Sequence, residues 1–97
     1  MPSYVTLVKW TEQRANGIKA SPARLRAAAT LTETVGGKLT DTYITMGEYD
    51  MVVVSDGSSD ECATAAALAI VSRGFVRTVT MRAFTLTEFE AVLTQLP

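Results

Sequence analysis

The stretch Met-Gly-Glu-Tyr-Asp-Met-Val-Val-Val, residues 46–54, constrains this chain's fold more than any other. On one side lies the strand pattern KLTDTYITM, on the other YDMVVVS, with only Gly47-Glu48 between them. Glycine at the first central position of a two-residue loop is what a type II′ hairpin requires, so the two strands are predicted to pair antiparallel. Asp50 then opens a strand whose remainder is an unbroken apolar run. A carboxylate in that place needs a hydrogen-bond donor or water, because a buried, unpaired one is strongly disfavoured.

A strand and a helix flank this hairpin on each side. YVTLVKW (4–10) alternates Val5 and Leu7 against Tyr4, Thr6 and Val8, the period of a half-buried strand. TEQRANGIKA (11–20) reads as a polar loop with a turn at Asn16-Gly17. Ser21-Pro22 suits a helix start, Leu25, Ala28, Ala29, Leu31, Thr32 and Val35 form its apolar stripe, and Gly36-Gly37 ends it. Residues 56–74 make a second helix, with Ser58 and Glu61 at capping-box spacing and Gly74 at its end. FVRTVTMRAF (75–84) is a fourth strand, and residues 85–96 are a short helix that begins with Thr87 and Glu90 at the same spacing.

The order β-α-β-β-α-β plus a terminal helix is the split-βαβ, ferredoxin-like plan: an α+β fold on a four-stranded antiparallel sheet of order 4-1-3-2. With 97 residues the chain is expected to form a single domain, 1–97. Both helices cover one face of the sheet. The alternation places Val5, Leu7, Val79, Met81, Ala83, Thr42, Ile44, Met51 and Val53 beneath them. Tyr4, Thr6, Val8, Trp10, Asp41, Tyr43, Val52, Val54, Val76, Thr78, Thr80, Arg82 and Phe84 are then expected on the open face, with Asp50. Such an apolar and aromatic face marks an interface or a ligand site, and two of them packed together would make an isologous dimer.

Composition removes several function classes. The chain has no His, one Cys, and 9 basic against 10 acidic residues. Without His it lacks the commonest general base and metal ligand, and without a second Cys it has no intrachain disulfide or CxxC pair. No cofactor or metal is therefore expected. The absence of a basic excess argues against nucleic acid and against a polybasic membrane patch. MPSYVTLVKW lacks the character of a signal peptide, and CATAAALAIV is about half of a bilayer span. The expectation is a soluble, cytoplasmic protein.

The hairpin residues Gly47, Tyr49 and Asp50, followed by Gly74, Val76, Arg77, Thr78, Arg82, Ala83 and Phe84 in the fourth strand, resemble the GYD-domain family of the dimeric α/β-barrel superfamily. Ser21 to Arg24 resembles the family's entry to its first helix, while Val79 stands where the family pattern has a polar or acidic residue. The resemblance implies a ferredoxin-like subunit and an oligomer built from face-to-face sheets. It supplies no reaction.

The candidate residues divide accordingly. Asp50 and Tyr43 are the candidate acid–base groups of a cofactor-independent oxygenase or isomerase, with Tyr49 beside them. Thr6, Trp10, Tyr43, Asp50, Thr78 and Arg82 are the candidate ligand or interface face. Each has a structural counterpart: Asp50 pinning the hairpin on nearby backbone, Tyr49 packing beneath the helices, and Trp10 and Tyr43 anchoring an interface. Arg77 and Arg82, five apart on one strand, point to opposite faces. Cys62, in the first turn of a helix, is read as small core filler rather than a nucleophile. The leading functional expectation is a homo-oligomeric protein that binds a small, partly apolar molecule or interacts through this face. The alternatives are the enzyme above and a purely structural oligomer.

Overall fold

The structure, a computed structural model, describes residues 2–12 and 17–97. Its elements are β1 (Ser3–Trp10), α1 (Ser21–Thr34), β2 (Lys38–Ile44), β3 (Met51–Asp56), α2 (Asp60–Val71), β4 (Val76–Ala83) and α3 (Leu86–Leu93). The sheet order is β2-β3-β1-β4 with every pair antiparallel, the ferredoxin-like plan expected from the element order. The turn expected at Asn16-Gly17 lies partly outside the described residues.

Local chemistry sets the helix ends, at positions slightly displaced from those predicted. A 3-10 turn at Ile18–Ala20 leads into α1, so Ala20 holds the cap position and the Ser21 hydroxyl donates back to the Ile18 carbonyl. Pro22 lies in the first turn, where its missing N–H leaves no bond unmade. The helix ends at Thr34, and the chain turns away at Gly36, whose φ of 90° lies in the left-handed region. The cap of α2 is Ser59 rather than Ser58: its Oγ accepts from the Cys62 N–H at 3.1 Å. The capping box of α3 is Thr85 with Glu88, two residues before the predicted Thr87 and Glu90. All four residues share the same local spacing, and the tertiary path of the chain decides which pair leaves the strand first.

The hairpin is wider than a two-residue turn. β2 ends at Ile44 opposite Met51, and the Thr45 N–H reaches the Asp50 carbonyl at 2.9 Å, leaving residues 46–49 as the loop. Gly47 takes φ 104°, as the sequence required of a glycine there. The Thr45 hydroxyl donates to the Tyr49 carbonyl at 2.6 Å and closes the turn from within.

The main correction concerns which side of the sheet each residue occupies. Directly opposed residues of an antiparallel pair share a face. Val5 opposes Val54 and Leu7 opposes Val52, whereas Thr6 opposes Val53 and Val8 opposes Met51. Residues Tyr4, Thr6, Val8, Met51, Val53 and Val76 border the space beneath the helices. The predicted faces hold for the hairpin strands and are reversed for β1 and β4. Tyr4, Thr6, Val8, Trp10, Thr78, Thr80 and Arg82 face the helices, and Val5, Leu7, Lys9, Arg77, Val79 and Met81 face outward.

The core cluster is Val8, Met51 and Val53, with Leu25, Leu39 and Val76 packed against it. It is thin. Among the described residues no side chain is fully withdrawn from solvent, and the most buried, Tyr4 and Val8, are each 4% exposed. Helix α3 makes no substantial contact with any other element, and Leu86, Phe89, Val92 and Leu93 on it are exposed. The surface totals 6484 Å². A compact monomer of this mass, 10.4 kDa, exposes about 5,400 Å².

Candidate functional site

Three groupings of side chains result from this fold: the outward face of the sheet, the hairpin end, and the opposite end where β1 begins.

The outward face carries Val5, Leu7, Val52, Val54, Val79 and Met81 across the three strands β1, β3 and β4, with Tyr43 of β2 beside them. Val79, Met81 and Tyr43 are exposed, Tyr43 most of all at 59%. A contiguous face of β-branched and aliphatic side chains is unusual on a monomer. The expected open face was mixed aromatic and threonine; the observed one is more apolar still.

At the hairpin end, Asp50 lies level with the last residues of β1, as expected. Its backbone N–H donates to the Val8 carbonyl at 2.9 Å, and its Oδ2 accepts from the Trp10 N–H at 2.8 Å. The carboxylate that seemed misplaced before an apolar strand therefore extends the β1–β3 ladder by one bond. Tyr49 does not pack beneath the helices. The Lys9 ammonium, on the outward face, lies 6.0 Å from its ring centroid.

At the opposite end a group forms that no local spacing announces. The Tyr4 hydroxyl donates to Asp60 Oδ1 at 2.5 Å, and Arg82 Nη1 lies 3.9 Å from the same oxygen. Tyr4 and Arg82 are register partners on β1 and β4, and Asp60 begins α2, so three distant segments meet. The hydrogen bond to Asp60, with burial and the carboxylate's charge, raises the Tyr4 phenol above its usual range. Gly57 makes room here, since a Cβ would sit 3.1 Å from the Tyr4 ring.

The remaining predicted residues are now placed. The Thr6 and Thr80 hydroxyls lie 3.2 Å apart on the helix side, and Thr78 borders the same space. Trp10 opposes Val76 there. Arg82 also lies over the Phe84 ring at 4.8 Å, while Arg77 is exposed on the outward face. The Cys62 thiol accepts from the Ser58 hydroxyl at 3.0 Å, and the serines at 58 and 59 hold its pKa below the usual thiol value. Asp50 and Tyr43 share neither a hydrogen bond nor a strand. Sequence reasoning missed Asp60 altogether and put Tyr4 on the wrong face. The signal that could have found the pair is register: Tyr4 opposite Arg82 places a phenol beside a cation at the mouth of a helix that opens with acids.

The GYD domain family matches residues 4–93 of the chain. A Thermus thermophilus protein named glutamine synthetase and cystathionine beta-lyase binding protein is 28% identical over 94 residues, 96% of this chain and 99% of that protein. Among solved structures, a feast or famine regulatory protein from M. tuberculosis, complexed with L-methionine, matches with a TM-score of 0.66 at 16% identity. The match covers 88% of this chain and 51% of that one, so the chain spans about half the regulator's length. A Thermus thermophilus structure matches with a TM-score of 0.57 at 21% identity, over 88% of this chain and 95% of its own. At these identities the structural neighbours share the fold.

Proposed function

The chain belongs to the GYD domain family, and from that premise we propose that it is a homo-oligomeric interaction protein whose outward sheet face seals a dimer and whose partner is a metabolic enzyme. The observation that carries the reading is the unpartnered apolar face of Val5, Leu7, Val52, Val54, Val79 and Met81. Packed against a second copy, it becomes the core that the thin inner layer does not supply. The chain exposes roughly 1,100 Å² more than a compact monomer of its mass, and a standard interface removes about 800 Å² from each partner. The two quantities agree in scale.

The choice of an enzyme as partner is supported by the relative that is named for binding glutamine synthetase and cystathionine beta-lyase, which matches nearly end to end. Helix α3 suits such a role. Leu86, Phe89 and Leu93 recur at helical spacing on an element that makes no substantial contact with another, and an amphipathic helix of this kind docks into grooves. The protein is proposed to act in the cytoplasm, where its one thiol, Cys62, stays reduced. Asp50 has a ladder bond to keep, which supports a structural use of the Gly-x-Tyr-Asp turn over an acid–base one.

The test is sedimentation velocity of the purified chain, alone and with glutamine synthetase or cystathionine β-lyase from the same source. A dimer or higher multiple that co-sediments with either enzyme is expected. A monomer at micromolar concentration would overturn the interface reading, and an oligomer that binds neither enzyme would overturn the choice of partner. A Phe89→Ser variant should keep the oligomer and lose the enzyme.

A further inference from the structure

The space between the sheet and the two helices is not filled. Alanines recur on the inner sides of both helices, Ala27 and Ala28 beside Leu25 and Leu31 on α1 and Ala63, Ala66 and Ala67 on α2, and a cavity of about 170 Å³ remains above Val8 and Val53. A well-packed interior keeps few voids larger than a water molecule, so this volume stands out. An apolar cavity of about 150 Å³ is large enough to take a benzene ring.

One wall is chemically distinct. Arg24 and Phe75 both border the cavity, and the Arg24 guanidinium stacks on the Phe75 ring with 4.0 Å between its central carbon and the centroid. Stacking uses the flat face of the guanidinium and leaves its N–H edge free to donate. Arg24 Nη1 is buried and has no hydrogen-bond partner among the described residues. Arg73 borders the same cavity. Asp56, the carboxylate that borders the space, opposes Ser3 at the far end of the sheet and already accepts from its hydroxyl at 3.0 Å. A buried guanidinium nitrogen without an acceptor, on a residue that borders an apolar cavity, is unusual in a folded protein, since buried donors are almost always matched.

We propose that this cavity binds a compact carboxylic acid whose apolar body, about six to eight carbons by comparison with the benzene-sized cavity, lies among the alanines and whose carboxylate takes the Arg24 edge. The fork geometry of a guanidinium matches a carboxylate, and the alanine methyls over Val8 and Val53 suit an apolar body. The site lies within one subunit, so it stands or falls independently of the dimer and of the enzyme partner.

The test is titration of the full chain, methyl-labelled at alanine and valine, with sodium benzoate and with cyclohexanecarboxylate, followed by NMR and by calorimetry. Saturable shifts are expected at Ala63, Ala66, Ala67 and Val53, with benzyl alcohol binding at least tenfold more weakly than benzoate. Arg24→Gln should weaken benzoate at least tenfold and leave benzyl alcohol unchanged, and Ala66→Val should weaken both. No saturable shift with either acid overturns the proposal. So do shifts confined to Val5, Val52 and Val54 on the outward face, or equal affinity for the acid and the alcohol. The comparison of acid with alcohol uses the unaltered chain, so the proposal stays falsifiable even where a variant does not fold.

Discussion

Asp50 shows how much one side chain can mislead when read without its neighbours. Ahead of Met51-Val52-Val53-Val54 it looks like a group reserved for chemistry, yet its Oδ2 accepts the Trp10 N–H at 2.8 Å where the β1–β3 ladder would otherwise end. Asp50→Ala should cost about 1.5–3 kcal/mol in urea unfolding, the range for a hydrogen bond to a charged group. Asp50→Asn keeps a carbonyl acceptor and should cost about half as much or less. Equal losses for the two would argue that the charge, and not the acceptor, matters. Tyr4 gives a pH-dependent counterpart. Its bond to Asp60 raises the phenol pKa in the folded state, so the stability it contributes is fully present below the ordinary tyrosine pKa and is lost as pH rises through the folded value. A phenolate absorbance titration should show a step above the ordinary tyrosine pKa, and Tyr4→Phe should abolish it.

At the scale of elements, the strands and helices were legible because local patterns carry them. Alternation marked β1, glycines with positive φ at 36, 47 and 74 marked ends and turn, and serine and threonine marked the helix starts to within two residues. What local patterns left open was which of two equivalent caps is used. Thr85 and Thr87 each have a glutamate three residues on, and Thr85 wins because the chain leaves β4 at Ala83 and must turn at once. Helix α3 is short and makes no substantial contact with another element, so its cap matters unusually. Thr85→Ala should cost about 1 kcal/mol of local helix stability. It should appear as faster amide exchange at Phe89 to Val92 with little change in the sheet. Glu88 adds a pH dependence of opposite sign. Its bonds to Thr85 lower its pKa, so the stabilisation is present above the ordinary glutamate value and is lost as pH falls through the folded one. Protection factors in α3, referred to the intrinsic exchange rate at each pH, should fall first on acidification.

For the whole molecule, the decisive property is that both faces of the sheet carry apolar side chains. One lies under alanine-rich helices and is incompletely filled, and the other is uncovered within the subunit. Met81→Lys or Val52→Lys on the outward face should therefore raise the dissociation constant of the proposed dimer at least tenfold. A charge in the middle of a desolvated face costs several kcal/mol. Glu33→Lys, at an exposed position of α1 on the other side of the sheet, should change nothing. Sedimentation equilibrium of the variants checks both expectations.

The residues by themselves determined the element order, the antiparallel sheet with β1 and β4 adjacent, and the level at which Asp50 meets β1, because each follows from local periodicity and connection rules. They did not determine which way β1 and β4 face. Val5 and Leu7 are as apolar as Val8 and Trp10, and alternation distinguishes two faces only when one of them is polar. Only the register, Val5 against Val54 and Thr6 against Val53, breaks that symmetry. The Tyr4–Asp60–Arg82 group and the cavity beside Arg24 likewise depend on segments more than fifty residues apart in the chain, Tyr4 and Asp60 being separated by 56. No short-range pattern encodes such meetings; the packing of two helices on one particular face creates them.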